Sequence, residues 1–186
     1  MPLSPNAISI VALLLNLTGA WLLLRGATAP LAFLLAIAFI AVGGAADALD
    51  GVVARVQGKA TRFGDLLDHF LDRLSDTALA ACWMIGNAVP QPLLVGALVA
   101  IFLNGYLGTQ LEASYREREY ESVGRGEFVL AIIIYPIVSY ILATNGWRGV
   151  APLGVSIPTW LTLLLIAFAA VGIVQRFALA ARLERS

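Results

Sequence analysis

Six apolar runs follow one another along this chain: Ile8 to Leu24, Pro30 to Val53, Phe63 to Ile85, Pro92 to Leu111, Phe128 to Ala143 and Pro158 to Phe177. Each approaches the ~20 residues that a helix needs to cross a ~30 Å hydrocarbon core. Hydrocarbon offers a backbone no hydrogen-bond partners, so runs of this length have to satisfy their own N–H and C=O groups as helices. The remaining composition agrees, since 60% of the 186 residues are hydrophobic and 13% are charged, where a soluble domain carries about a quarter charged. Mean hydropathy is +0.85. The expected fold is all-α, an integral membrane bundle of six transmembrane helices forming a single domain over residues 1–186.

Pro30, Pro92 and Pro158 suit the first turn of a helix, where a missing N–H costs nothing. The stretches GNAVPQP and NGWRGVAPLGVSIP read as connecting loops. Basic residues set the orientation. Arg55, Lys59 and Arg62 lie between the second and third runs, Arg116, Arg118 and Arg125 between the fourth and fifth, and Arg176, Arg182 and Arg185 near the C-terminus. These alternate onto one side and only Arg25 and Arg148 fall on the other, which predicts cytoplasmic termini in a multi-pass protein of the cell membrane. The run after Ile8 has no basic leader and no convincing cleavage site, so it is expected to be a retained helix. Zero net charge gives no footprint for nucleic acid. The single cysteine, Cys82, has no partner for an intrachain disulfide.

All six aspartates of this chain fall in one stretch, DALDGVVARVQGKATRFGDLLDHFLDRLSD, from Asp47 to Asp76. At about 100° per residue Asp47, Asp50 and Ala54 share one helix face, as do Asp65, Asp68, Asp72 and Asp76. The two helices are joined by a short basic link, so they are expected to be antiparallel neighbours with facing acidic stripes at the cytoplasmic end. Two carboxylates 4 Å apart repel by ~4 kcal/mol even at an effective dielectric of 20. Such a group calls for cations, and an all-oxygen donor set favours Mg²⁺ or Mn²⁺, with room for two ions. Mg²⁺ held by a few carboxylates usually completes its shell with substrate phosphates, which points to a phosphate-bearing ligand. Gly51 and Ala54 leave space beside the acids, Arg55 offers a planar cation for phosphate, and Gly64 lets a ligand approach the backbone. The competing explanation, ion pairing of the acids with Arg55, Lys59, Arg62 and Arg73 at a membrane surface, is the weaker one because intramembrane acids are costly and default to function.

Asp47, Asp50, Gly51, Ala54, Arg55, Gly64, Asp68 and Asp72 spell D-x2-D-G-x2-A-R-x8-G-x3-D-x3-D. This resembles the signature of the CDP-alcohol phosphotransferase family, and the opening LSPNAISI resembles the P-N-x-[IL]-[ST] start common there. The resemblance implies six transmembrane helices, usually as a homodimer, with a cytoplasmic-side site for a CDP-linked lipid and two divalent ions. It implies that Asp47, Asp50, Asp68 and Asp72 hold the metals, with Asp72 also the base that deprotonates the acceptor hydroxyl. It further implies that Asp50, Gly51, Ala54, Arg55 and Gly64 line the CDP pocket. The expected reaction is transfer of a phosphatidyl-type group, diacyl or archaetidyl, to a small polar alcohol with release of CMP.

Arg116, Arg118 and Arg125 are the candidates for binding an acceptor that carries its own phosphate, although a solvated positive-inside loop explains them equally well. GDLLDHFLDRLSD and NGYLGTQ resemble archaeal members of the family assigned as archaetidylglycerophosphate synthases. On that basis glycerol phosphate is the expected acceptor, with inositol phosphate or another polar alcohol as the alternative. Asp65 and Asp76 lie outside the signature and are expected to pair with Arg62 or Arg73. His69, the single histidine, is expected to be a hydrogen-bonded interface residue rather than a ligand. From another class, a cation-coupled secondary transporter also uses intramembrane acids, but such proteins favour inverted repeats, and no repeat is visible.

Overall fold

The computed structural model describes residues 4–58, 61–115 and 125–185. Among them no strand occurs, and six α-helices carry the fold: α1 Pro5–Arg25, α2 Leu31–Val56, α3 Arg62–Gly86, α4 Gln91–Tyr115, α5 Arg125–Thr144 and α6 Ile157–Leu183. All six expected spans are therefore helices. Five of them, all but α3, are long and apolar enough to cross a membrane, as a multi-pass membrane protein requires. The exception has a simple cause, since the first fifteen residues of α3 carry four aspartates, two arginines and His69.

Local chemistry fixes the helix ends. Ser4 accepts from the N–H of Ala7 at 3.3 Å ahead of Pro5, and Thr61 accepts from Gly64 at 3.0 Å to start α3. Ser156 does the same for α6 through Thr159 at 3.4 Å. Such side-chain caps satisfy donors that a helix start leaves orphaned. Pro30 precedes α2, and Pro92 and Pro158 are second residues of their helices, as their chemistry predicts. The long loop before α6 holds two short 3-10 turns, Trp147–Gly149 and Pro152–Gly154. From it Arg148 donates to the carbonyls of Gly26 and Ala27, at 2.6 and 2.5 Å, just past the end of α1.

The sequence predicts α2 and α3 as antiparallel neighbours with facing acidic stripes; the stripes do face each other, with oxygens of Asp47, Asp50 and Asp68 within 4.8 Å, but the two helices do not pack along their length. Both pack chiefly against α1, and their mutual contact is slight. The reason lies in small residues that let α1 approach both partners closely. A methyl group on Gly43 of α2 would stand 3.2 Å from the carbonyl oxygen of Ala12, and one on Gly86 of α3 would stand 2.5 Å from that of Leu23. With hydrocarbon outside, helices associate through close packing of this kind more than through burial of apolar area. α4 packs on α6, and α5 lies against α2. A common core of Leu23, Phe33, Leu79, Trp83, Met84, Ile101, Tyr135 and Leu165 joins all six. Within it Trp83 donates to Ser139 Oγ at 3.0 Å and its ring centroid lies 5.1 Å from that of Tyr135.

Because the group facing Gly86 is backbone, it cannot turn aside. Gly86→Ala is expected to destabilise the protein by about 1–3 kcal/mol through overpacking. Gly96→Ala, where a methyl meets nothing within 4 Å, should be neutral or stabilising by up to about 1 kcal/mol. Thermal unfolding of the two variants in one detergent checks the contrast, and equal stability would contradict it.

Candidate functional site

Alternating helix direction brings one end of every helix to the same region. α1 contributes its first turns with Ser9, α2 its last turns with Asp47 and Asp50, and α3 its acidic first half. α4 contributes its C-terminal half, α6 its middle and Arg176 beyond it, and α5 its first turn.

The four signature aspartates converge there in two linked clusters. One carboxylate oxygen from each of Asp47, Asp50 and Asp68 lies within 4.8 Å of the others, and so do ligand atoms of Asp68, His69 and Asp72. Asp68 belongs to both. Asp50 and Asp72 are almost fully enclosed, at 6% and 7% exposed. The i,i+3 and i,i+4 spacings within each helix account for the pairs Asp47–Asp50 and Asp68–Asp72. Two full charges 4.8 Å apart repel by about 3.5 kcal/mol at an effective dielectric of 20. Five acidic or imidazole side chains in such proximity make a donor set for a divalent cation, with hard oxygens in the majority. The residues present therefore fit the divalent ions that the signature implies.

Beside Asp68 and Asp72 opens a cavity of about 330 Å³ between α3, α4, α5 and α6. From α3 it takes Asp65, Asp68, His69, Asp72, Arg73 and Asp76; from α4, Asn104, Gly105, Gly108, Thr109 and Glu112; from α5, Glu127 and Phe128; and from α6, Ala169 and Arg176. Two glycines of α4 make room for Arg73 of α3 and Arg176 of α6. A methyl group on Gly105 would collide with the guanidinium of Arg73, and one on Gly108 would stand 3.3 Å from Nε of Arg176. Arg176 donates to Asn104 Oδ1, and Arg73 pairs with Asp76 at 3.5 Å.

The expected residues divide by location. Asp47, Asp50, Asp68 and Asp72 come together as the signature predicts. Gly51, Ala54 and Arg55 occupy the last turns of α2 and Gly64 the first turn of α3, and none of them lines the cavity. The Arg55 guanidinium lies over Gly51, 3.6 Å from where a methyl group would be, and the Asn6 side-chain oxygen stands at the same distance from Gly64. Arg116 and Arg118 lie outside the described residues, and Arg125 opens α5. Asp76 pairs with Arg73 as expected, whereas Asp65 faces His69 at 3.9 Å, one turn along its own helix, rather than Arg62. His69 does more than was expected of it, since its ring nitrogen joins the Asp68–Asp72 cluster. Sequence reasoning gave no site role to Arg176, nor to Ser9 within LSPNAISI or Asn104, Gly105 and Gly108 within NGYLGTQ, strings it singled out only as resembling the family. The usable signal for the cavity was the pair Gly105 and Gly108, i,i+3 on one face of an apolar helix beside a lone Asn.

The chain belongs to the CDP-alcohol phosphatidyltransferase family, whose sequence profile matches residues 2–183. Among curated proteins, an archaetidylinositol phosphate synthase of Pyrococcus horikoshii is 28% identical over 153 residues, 78% of this chain and 78% of that protein. A phosphatidylinositol phosphate synthase of Mycolicibacterium smegmatis is 37% identical over 95 residues, 48% of this chain but 43% of its own length. The fold is shared with the phosphatidylinositol phosphate synthase of Mycobacterium tuberculosis. Its structure with manganese and citrate superposes at TM-score 0.70 and 24% identity, covering 95% of this chain and 81% of that one. Its structure with CDP-DAG bound gives 0.70 and 23%, covering 95% and 85%.

Asp68 is the carboxylate common to both clusters, so it carries most of the repulsion. In EDTA, Asp68→Asn is expected to raise thermal stability by about 1–3 kcal/mol, less than the full Coulomb term because solvent screens part of it. The same substitution should abolish the stabilisation that Mn²⁺ confers on the unaltered protein. Melting curves with and without Mn²⁺ check both halves, and a variant still stabilised by the ion would contradict the shared role of Asp68.

Proposed function

We propose that this chain transfers a phosphatidyl-type group from a CDP-linked lipid to an inositol phosphate hydroxyl, releasing CMP, with two divalent ions, Mg²⁺ or Mn²⁺. The observation that carries this reading is the convergence of Asp47, Asp50, Asp68 and Asp72 beside a cavity, at one end of an apolar bundle. The choice of acceptor follows the curated relatives, which make inositol phosphate lipids. Glycerol phosphate, the acceptor expected from the sequence, has no comparable support and gives way. Manganese and CDP-DAG in the two Mycobacterium tuberculosis structures agree with the same chemistry.

When bound, the ions neutralise the diphosphate and polarise the phosphorus that is attacked. The remaining chemistry belongs to the chain. Asp47, Asp50, Asp68 and Asp72 hold the charge that attracts the ions, and Asp68 ties the two clusters together. Asp72, buried and on the cavity wall, takes the proton of the acceptor hydroxyl as that oxygen attacks the lipid-bearing phosphorus. The bond from that phosphorus to the bridging oxygen breaks, and CMP leaves with the electron pair. Asp50, Gly51, Ala54, Arg55 and Gly64, around the end of α2 and the start of α3, receive the CDP moiety, with the exposed guanidinium of Arg55 reaching the diphosphate. The cavity on the other side of Asp72 takes the acceptor, where Arg73 and Arg176 supply positive charge for its phosphate. Arg116, Arg118 and Arg125 remain candidates for the same phosphate. The donor's tails stay in the bilayer throughout, and the site faces the cytoplasm, where its soluble substrate is found.

Purified protein supplied with CDP-archaeol or CDP-diacylglycerol, Mg²⁺ and a panel of alcohols is expected to release CMP fastest with inositol phosphate. Asp72→Asn should slow that release by about a hundredfold or more, the usual contribution of a general base. Preference for glycerol phosphate would overturn the choice of acceptor, and absence of CMP with every alcohol would overturn the reaction.

A further inference from the structure

Ser9 is not one of the aspartate signature residues, yet it touches the site directly. It lies in the second turn of α1, 8% exposed, and its hydroxyl donates to Oδ2 of Asp50. The carbonyl oxygen of Pro5 also lies 3.2 Å from that hydroxyl. A serine has a single proton to give, and an ionised carboxylate is a stronger acceptor than a helix carbonyl. The bond to Asp50 therefore takes the proton.

We propose that Ser9 is a positioning residue for metal binding, clamping one oxygen of Asp50 so that the carboxylate presents the other to a cation shared with Asp47 and Asp68. The inference rests on the metal-binding reading above. The terminal torsion of an aspartate is broad and weakly defined by itself. Repulsion from Asp47 and Asp68 favours rotation of Asp50 away from the cluster, and a hydrogen bond that holds its Oδ2 restricts that rotation. Groups that hold a ligating carboxylate by hydrogen bonds commonly fix its orientation and raise metal affinity.

The donor is itself well anchored. Ser9 continues the α1 stripe of Ala12, Asn16 and Gly19, which faces α2 and α3. Ala12 and Asn16 meet Gly43 of α2, and Asn16 Nδ2 reaches Ser75 Oγ of α3 at 3.5 Å. The hydroxyl is thus carried by the helix that packs against both aspartate-bearing helices. A side chain on such a rigid seam sets a ligand more tightly than one on a loop.

The test uses the full chain in detergent, with Mn²⁺ alone as the probe and no substrate. Mn²⁺ dissociation constants are measured by electron paramagnetic resonance for the unaltered protein, Ser9→Ala, Ser9→Cys and Ser9→Thr, with melting temperatures in EDTA alongside. Loss of the donor in Ser9→Ala is expected to weaken Mn²⁺ binding by about tenfold or more. Ser9→Cys, with its weak donor, should fall between, and Ser9→Thr should return to within about twofold of the unaltered protein. Melting temperatures in EDTA should not follow that order, as they would if Ser9 only packed α1 on α2. Equal affinity in Ser9→Ala and the unaltered protein would overturn the proposal, as would a Ser9→Thr as weak as Ser9→Ala. If Ser9→Ala does not fold, the comparison of Ser9→Cys with Ser9→Thr decides, and equal affinities overturn the proposal. An unaltered protein that takes up no Mn²⁺ would overturn the metal reading itself, an outcome distinct from the failure of Ser9 alone.

Discussion

Four carboxylates drawn together inside one end of an apolar bundle are the constraint from which the rest of this structure follows. At separations within 4.8 Å, each pair inside a cluster, if fully charged, opposes the fold by a few kcal/mol at an effective dielectric of 20, a large fraction of the 5–15 kcal/mol that typically holds a protein folded. Three features make the arrangement tolerable. Hydrogen bonding by Ser9 satisfies part of Asp50, Arg73 and Arg176 offset part of the charge of the six carboxylates that line the adjoining cavity, and divalent ions supply the rest when bound. The acidic start of α3 is also why that helix, unlike the other five described, is not apolar enough to cross a membrane along its length.

The bundle is arranged to hold that constraint in place. α1 presents small residues to α2 and α3 along its length, and this close seam sets where the two aspartate-bearing helices meet. Far from the site, Arg148 fixes the other end of α1 by bonding carbonyls that follow it. On the opposite flank α4 uses Gly105 and Gly108 to admit two arginine side chains into what becomes the cavity. One helix pair thus carries metal-ligating groups and another supplies space beside them, and Asp68 and Asp72 of α3 lie on the boundary.

Much of this was legible in the sequence, for identifiable reasons. Long apolar runs and their proline punctuation predict six helices, because hydrocarbon leaves a backbone no other choice. The aspartate spacing predicts which carboxylates share a face, because helical geometry is rigid. What failed was the step from faces to neighbours. A short link implies packing along the whole length, but the glycines at 43 and 86 let α1 approach both helices, through the Asn16 side chain and the Ala12 carbonyl at one and the Leu23 carbonyl at the other, and nothing in the sequence pairs these residues. Ser9 and Asn104, though inside strings that resemble the family, and Arg176 could not be placed in the site for a related reason. Each lies far along the chain from Asp47–Asp76, and only the folded bundle brings it close. His69 is expected at an interface; its ring lies 3.9 Å from Asp65 and also within 4.8 Å of ligand atoms of Asp68 and Asp72, a proximity that helix spacing alone does not reveal.

The central claim is that Asp68 is shared between two divalent ions, one held with Asp47 and Asp50, the other with Asp72. Anomalous diffraction at the manganese edge from crystals of the Mn²⁺-loaded protein tests it directly. Two peaks, both within coordination distance of Asp68, are the predicted result. No peak at Asp68, or manganese bound only at Asp65 and Asp76, would contradict it.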